Sequence, residues 1–132
     1  MLTGVPSFAI DQVWHDVKPL VQRCLDKAKE HRYLVEDYEL MIRSNDAQLW
    51  VQGYPEIDAV VITRIAVYPR AKELVVLLVC GKLHDDWLNT LAALVESSRK
   101  MGCTHASAYV RKGFVRLIPD WEPRETYIVK EL

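Results

Sequence analysis

The sequence is poor in glycine and in the short motifs that mark common catalytic sites. Only five glycines occur in 132 residues, and none lies in a GxGxxG, GxxxxGK[ST] or GxSxG pattern. HExxH is absent too. These absences exclude the usual phosphate loops, the serine hydrolase elbow and the zinc-protease helix. No metal site is predicted, because the four histidines are widely scattered: His15, His31, His84 and His105.

Net charge and long apolar runs are also missing. Seventeen basic and eighteen acidic residues leave a formal charge of −1, which argues against overall attraction to nucleic acid or anionic membrane. The longest apolar run, Leu74 to Cys80, is far shorter than the roughly 20 residues of a membrane helix. Since no signal-peptide pattern opens the chain, we expect a cytoplasmic protein without a membrane partner.

A disulfide framework is not predicted either. The chain has three cysteines, Cys24, Cys80 and Cys103, and an odd number at wide spacing favours buried thiols over disulfides or a metal knuckle. Cys103 is the one candidate for a reactive thiol, because it lies at a predicted helix end near a predicted cleft.

What is present fits one globular domain over residues 1–132. The length suits a single core, and half of the residues are apolar. Residues 1–7 show no periodicity and predict a short, loosely held segment before the first helix. Helical spacing from Ile10 to Ala28 predicts an amphipathic helix, with Pro19 either dividing it near Lys18 or kinking it.

The middle of the chain predicts three consecutive antiparallel strands. A short helix over Val35 to Ile42 ends in a turn at Ser44-Asn45-Asp46. The strands then cover Ala47 to Gly53, Ile57 to Val67 and Leu74 to Cys80. The third strand is apolar on both faces, which predicts a central strand covered on both sides.

The last part predicts a long helix between two parallel strands. Asp85 or Asp86 caps the helix, and Gly102 stops it. Its apolar stripe is made of Trp87, Leu88, Leu91, Leu94 and Val95, with Met101 as a further candidate. A strand at His105 to Val110 would then be the parallel neighbour of Leu74 to Cys80. A helical turn at Phe114 to Ile118 and a closing strand at Thr126 to Val129 complete the order.

This order of elements resembles the GNAT superfamily of N-acetyltransferases, and more closely the small GNAT-like proteins of tailed-phage and prophage genomes. The positions that carry the likeness are Trp14, Val17, Pro19, Gln48-Leu49-Trp50-Val51, Gly81, Trp87, Met101-Gly102-Cys103, Arg111 and Gly113-Phe114. The resemblance implies a single α/β (α+β) GNAT-like domain, with a mixed, mostly antiparallel sheet and helices on both faces.

The resemblance also implies an acetyl-CoA site. Its pantetheine arm would lie along Leu78, Val79 and Cys80. Its phosphates would rest on the loop made of Gly81, Lys82, Leu83, His84, Asp85 and Asp86. The chain departs from the family's glycine-rich loop, because only Gly81 is a glycine and two carboxylates stand near the phosphate positions, where like charges repel.

Candidate catalytic groups are few. The family's proton-donating tyrosine aligns with Ile118, which has no proton to give. Tyr109 and Tyr127 are substitutes, or else ordinary sheet aromatics. Glu96, His84 or a water molecule is the candidate base.

Two functions follow as expectations. The first is an acetyl-CoA-dependent N-acetyltransferase acting on an amine-bearing substrate. The second is a non-catalytic phage protein, either a virion accessory protein or a binder of a host factor, which keeps the scaffold. Partners in that case would be a phage or host protein, or a second copy of the chain. A basic group at Arg111, Lys112 and Arg116 is weighed as a nucleic-acid contact and as a solvated helix face.

Overall fold

The computed structural model describes residues 2–28, 32–82, 84–110 and 112–132. Its elements, in chain order, are β1 (Leu2–Val5), a 3-10 helix (Ser7–Gln12), α1 (Trp14–Lys27), α2 (Val35–Arg43), β2 (Gln48–Gln52), β3 (Ala59–Tyr68), β4 (Ala71–Gly81), α3 (Trp87–Lys100), β5 (His105–Ala108) and a second 3-10 helix (Lys112–Leu117). The predicted His31, Leu83 and Arg111 contributions lie outside the described residues.

Five strands form one sheet in the order β1-β2-β3-β4-β5. From β1 to β4, each strand is antiparallel to the next, and β5 runs parallel to β4. The predicted antiparallel succession of β2, β3 and β4 is therefore confirmed. The parallel pair joined through α3 is confirmed as well, and so is the mixed α/β fold class.

Two apolar clusters cover the two faces of the sheet. One cluster packs α1 and α2 against residues such as Val60, Ile62 and Cys80. The other joins Leu94 of α3 to Val61 and to the first half of β4. The sequence folds this way because period-two alternation in β3 sends neighbouring side chains to opposite faces.

A β-bulge divides β4. Ile62 pairs with Leu78 and Thr63 pairs with Val76, so Leu77 is an extra residue opposite β3. An inserted residue reverses the alternation of a strand. As a result, Val76 packs on the α3 side while Cys80 packs on the α1 side.

The N-terminal predictions need two corrections. The predicted loose lead-in contains β1, whose residues pair with β2 from Leu2 opposite Gln52 to Val5 opposite Leu49. The helical pieces meet at Val13 and not near Lys18, and α1 continues through Pro19. Proline is tolerated there because the missing N–H frees only the carbonyl of the exposed residue His15.

Other corrections concern β4, α3 and the C-terminus. The middle strand of the sheet is β3, not β4, and Val79 of β4 is 45% exposed, so β4 is not covered along its full length. Leu88 is exposed, while Thr90 and Ser98 lie with Leu94 on the buried face of α3. The segment Thr126 to Val129 is not a strand.

Within residues 2–28, 32–82, 84–110 and 112–132, no helix combines the length and the apolar character that crossing a membrane requires.

Candidate functional site

The candidate site is the open edge of β4. β4 pairs with β5 only from Glu73 to Val76, although β4 itself continues to Gly81. The pairing stops there because β5 ends at Ala108, opposite Val76, and the bulge at Leu77 follows directly in β4. The last residues of β4 therefore present backbone toward the space beyond the end of β5.

The register shows which backbone groups point into this space. Lys82 N–H donates to the carbonyl of Asp58 at 3.0 Å. In an antiparallel pair, hydrogen-bonded and non-hydrogen-bonded residues alternate. Cys80 and Val60 are then a hydrogen-bonded pair, and Val79, opposite Val61, is not. Val79 consequently directs its N–H and its carbonyl away from β3, toward the open edge.

The thiol of Cys24 lies at this edge. Its Sγ donates to the carbonyl oxygen of Val79 over 3.5 Å. The neighbouring thiol of Cys80, assisted by the charge of Lys27, lowers the pKa of Cys24, although partial burial opposes the shift. The neighbouring thiol of Cys24 and deeper burial raise the pKa of Cys80.

The loop after β4 is tied down by side chains from β2 and from the connection to β3. Gln52 is fully buried. Its Nε2 donates to Asp58 Oδ1 at 2.8 Å and to the carbonyl of Lys82 at 3.0 Å. Its Oε1 accepts from the backbone N–H of His84 at 3.4 Å. The ring Nε2 of His84 lies 2.8 Å from Asp58 Oδ2. The N–H of Lys82 donates to the carbonyl of Asp58, and the N–H of His84 donates to Gln52. Both groups are therefore already hydrogen-bonded within the protein.

Gly81 lets the end of β4 lie close to the backbone of Asp58 and Ala59. Its φ is +85°, a region that disfavours side chains. A Cβ at this position would collide with the carbonyl oxygen of Asp58 and would stand 2.9 Å from Cα of Ala59. Glycine is therefore required here by the close approach of the chain itself.

The hydrogen bonds of Gln52 and His84 also act on the carboxyl of Asp58. They hold the pKa of Asp58 below its usual value, with the bond from Gln52 as the larger cause. Asp58 is half-exposed, so it remains in contact with solvent. No bond of Asp85 or Asp86 side chains to this group is present among the described residues, and both side chains are exposed.

The two candidate tyrosines contact each other just after the end of β5. Tyr109 follows β5 directly, and its ring lies edge-on to Tyr127 with 6.1 Å between centroids. Arg32 Nη2 donates to the hydroxyl oxygen of Tyr127 at 2.7 Å, and the guanidinium lies 6.0 Å from the Tyr127 ring centroid. Because Arg32 occupies an acceptor position of that oxygen, the Tyr127 proton stays free to be donated.

The other predicted catalytic positions lie elsewhere. Glu96 accepts from Arg99 at 2.8 Å and is on the exposed face of α3, away from the buried face that carries Leu94. Ile118 is 5% exposed and belongs to the interior. Cys103 is buried as predicted for a structural thiol, and the thiol with a lowered pKa at the open edge of β4 is Cys24.

A separate concavity of about 410 Å³ lies toward the other end of the sheet. It is lined by Met41, Asn45, Asp46, Gln48, Arg64 and Ile65. None of the predicted site residues is among them, so this concavity and the open edge of β4 are distinct features.

Comparison with solved structures decides the fold. A structure described as a probable acetyltransferase matches with a TM-score of 0.71 and 8% identity over 100% of this chain and 95% of its own. The GNAT-like acetyltransferase fold is therefore established. A ribosomal-protein-alanine N-acetyltransferase from Brucella melitensis biovar Abortus 2308 matches with a TM-score of 0.70 and 12% identity over 99% of both chains.

A third GNAT-like match is an aminoglycoside acetyltransferase from an uncultured soil metagenomic sample in complex with sisomicin. Its TM-score is 0.68 and its identity 10%, over 100% of this chain and 95% of its own. No protein-family model matches the sequence, and no curated protein sequence matches it. At these identities the similarity concerns the fold.

An acyl-CoA thioester fits the open edge of β4 in part. A pantetheine arm carries amides, which can pair with the N–H and carbonyl of Val79 as a strand would. The diphosphate does not fit the loop as it stands. The amides that would hold it donate to Asp58 and Gln52, and the nearest carboxylates repel its charge.

Three residues of this site escaped the sequence analysis. Gln52 lies near the end of the predicted strand Ala47 to Gly53, Asp58 lies at the start of the predicted strand Ile57 to Val67, and Arg32 follows the first helix. Nothing in their spacing signals that they meet distant partners, because each acts through contacts made across the fold.

Proposed function

We propose that the protein is an acyltransferase that accepts an acetyl group from a pantetheine thioester such as acetyl-CoA and passes it to an amine. The unpaired end of β4 at Val79 is the observation that carries this proposal. The pair formed by Tyr127 and Tyr109, which directly follows β5, is the candidate source of a proton. The GNAT-like fold supports it. The aminoglycoside complex of one neighbour supports an amine as the class of acceptor.

The chain's own groups would perform two tasks. Val79 orients the donor by its backbone N–H and carbonyl, which fixes the position of the thioester at the end of β5. Tyr127, held by Arg32, carries the proton that a departing thiolate needs. Acetyl-CoA would supply the acetyl group as an activated thioester.

The proposal includes weak anchoring of the diphosphate. The amides of Lys82 and His84 are already hydrogen-bonded within the protein. Hydrogen bonds to charged groups contribute about 1.5–3 kcal/mol each, so a ligand without them loses much of the usual contribution of the nucleotide. Recognition then depends mainly on the pantetheine arm.

Binding of acetyl-CoA and of S-acetylpantetheine, measured side by side by calorimetry, tests this proposal. We expect dissociation constants within about threefold of each other, a difference below 1 kcal/mol. Binding of acetyl-CoA more than about tenfold tighter, or 1.4 kcal/mol, would show that the loop holds the diphosphate. Failure of both ligands to bind would refute the acyltransferase proposal.

A matched pair of variants locates the site. Val79→Pro removes the N–H at the open edge without removing a sheet hydrogen bond, whereas Val67→Pro changes an exposed position of β3 far from it. Loss of binding in the first variant only, with both variants folded by circular dichroism, supports the placement. Equal binding by both contradicts it.

The second candidate is a non-catalytic phage protein that retains the scaffold. It is favoured by the N–H groups of Lys82 and His84, which already donate within the protein. Exposed apolar side chains near the C-terminus favour it too, with Ile128 86% and Val129 56% exposed. Its partner would be a protein of the virion or of the host, and its place would be the virion or the host cytoplasm. It is the interpretation that remains if neither thioester binds.

A further inference from the structure

The end of β3 has an unpaired edge. The pairing of β2 with β3 starts at Gln48, opposite Thr63, whereas β3 continues to Tyr68. The chain before β2 leaves the sheet, since the N–H of Asp46 donates to the carbonyl of Met41 at 2.8 Å. Within the described residues, the end of β3 therefore has a neighbouring strand on one side only, which is β4.

The register shows which backbone groups face this edge. Residues that flank a two-residue hairpin turn form a hydrogen-bonded pair, and here they are Tyr68 and Ala71. Because hydrogen-bonded and non-hydrogen-bonded pairs alternate, Arg64 directs its N–H and its carbonyl to β4. Ile65 and Val67 direct theirs away from β4. These two residues define the free edge of β3, whose backbone groups can pair with an added strand.

The concavity of about 410 Å³ lies at the start of the free edge of β3. It is lined by Arg64 and Ile65 of β3, by Gln48 at the start of β2 and by the turn after α2. Alternation puts Arg64 on the same face as Ile62, which packs with α1 and α2. The side chain of Arg64 is exposed and has no hydrogen bond or ion pair among the described residues. Its charge is therefore available to a ligand.

Gln48 supplies a second donor to the concavity. The indole N–H of Trp50 donates to Thr63 Oγ1 at 3.0 Å, so the hydroxyl proton of Thr63 is donated to Gln48 Oε1, at 2.9 Å. Since its oxygen is occupied, Gln48 offers its Nε2 N–H groups, which have no acceptor within the described part of the chain. Arg64 and Gln48 together favour an anionic group.

The direction of an added strand decides which of its ends enters the concavity. A strand that is antiparallel to β3 and in line with β2 runs the same way as β2, so its C-terminal carboxylate would meet Arg64 and Gln48. A parallel strand would bring an N-terminal ammonium group to Arg64, where like charges repel. Asp46 also lines the concavity, but its Oδ2 already accepts from Ser44 at 3.0 Å.

We propose that the free edge of β3 binds the extended C-terminal segment of a partner protein. The backbone of that segment pairs with Ile65 and Val67, and its carboxylate contacts Arg64 and Gln48. Apolar residues are expected at its last and third-last positions, which lie opposite Ile65 and Val67 on one face. Val67 is 75% exposed and open to such a contact. The inference is independent of the acyltransferase proposal, because the open edge of β4 is at the other end of the β3–β4 pair.

The peptide acetyl-Ser-Lys-Thr-Thr-Val-Thr-Val with a free C-terminal carboxylate tests the proposal against the same peptide with a C-terminal amide. We expect the amide to bind at least about tenfold more weakly, because it loses charge-assisted hydrogen bonds. Titration followed by residue-resolved NMR gives both dissociation constants. Hydrogen exchange at the amides of Ile65 and Val67 should slow when the acid binds.

Two matched pairs of variants locate the site. Arg64→Gln should weaken binding of the acid to about the level of the amide, whereas Arg116→Gln, which removes an exposed charge from the second 3-10 helix, should leave it unchanged. Val67→Pro removes an N–H at the free edge of β3 without removing a sheet hydrogen bond, and it should abolish binding. Val79→Pro is its control and should bind the peptide as the unaltered chain does. The same two proline variants have the opposite expected effects on S-acetylpantetheine, so the two proposals fail separately.

Measurements on the unaltered chain keep the proposal testable even if a variant misfolds. Equal affinities for the acid and the amide would overturn it, and so would the absence of binding at millimolar peptide. Binding that leaves exchange at Ile65 and Val67 unchanged would place the peptide elsewhere and overturn it as well. Slow exchange at both amides without peptide, together with a dimer in analytical ultracentrifugation, would show that a second copy covers this edge in place of a partner protein.

Discussion

Gly81 shows how a single residue can be retained for packing where a resemblance suggests ligand binding. Its positive φ and the nearby Asp58 carbonyl leave no room for a side chain. The likeness to acetyltransferases assigned it to phosphate contact. The structure gives it a role within the chain, and that role can be measured without any ligand.

Replacing Gly81 by alanine should therefore be more destabilising than replacing Gly102. Gly102 also has positive φ, at +91°, but a Cβ there would approach only Lys72, at 3.7 Å from its Nζ. We expect Gly102→Ala to lose about 1–2 kcal/mol of unfolding free energy from the backbone conformation. Gly81→Ala should lose about 2–5 kcal/mol, because a collision adds to the same term.

Urea denaturation of both variants makes this comparison. Equal losses of unfolding free energy would mean that the chain does not approach Gly81 as closely as described. Folding of each variant at zero denaturant is checked by circular dichroism.

Among the elements, β4 is the one whose two halves differ most. Before Leu77 it pairs on both sides, and after Leu77 only with β3. Because hydrogen-bonded and non-hydrogen-bonded pairs alternate, neighbouring residues of the second half direct their backbone N–H groups to opposite sides of the strand. The N–H of Cys80 faces β3, whereas that of Val79 faces the open edge.

Hydrogen exchange should reveal this difference. We expect the amide of Cys80 to exchange slowly and that of Val79 to exchange fast, because only the first is hydrogen-bonded in the sheet. Residue-resolved NMR gives both rates in one sample. Comparable protection of the two amides would show that another group covers the edge. Addition of S-acetylpantetheine should slow Val79 selectively if the proposed function is correct.

The sequence predicts the elements of this sheet better than their ends and partners. The β-branched run from Ala59 to Val67 and the apolar run from Leu74 to Cys80 identify β3 and β4, because local periodicity suffices for that. It does not locate the bulge at Leu77, which depends on pairing with β3. It also misses β1, whose four residues form a strand only through contact with β2.

The site is less predictable for the same reason. The resemblance points to the strand at Val79, to the following loop and to Tyr109 and Tyr127, and this assignment stays a prediction. It misses Gln52 and Asp58, which close the loop from 30 and 26 residues away in sequence. The predicted strand at Thr126 to Val129 fails because β-propensity alone does not supply a partner edge.

For the molecule as a whole, Gln52, Asp58 and His84 connect β2, the entry to β3 and the loop before α3. Their hydrogen bonds lower the pKa of Asp58 relative to its usual value of 3.8. A carboxyl with a lowered pKa in the folded state stabilises the fold above its unfolded-state pKa. It loses that contribution as the pH falls through the folded-state pKa.

Unfolding free energy should accordingly fall as the pH is lowered from about 5 to about 2, and Asp58→Asn should weaken that dependence. Asp85→Asn is the matched control, because Asp85 is exposed in the same region and has no hydrogen bond among the described residues. Thermal unfolding across this pH range measures both. An unchanged pH dependence in Asp58→Asn would contradict the role given to this carboxylate.

Gly81 has one more consequence, for how relatives of this chain should be compared. If its Cβ is excluded by the Asp58 carbonyl, selection would preserve the glycine in descendants that have lost acyl transfer as strictly as in those that keep it. Inheritance of that glycine then carries no information on catalytic history.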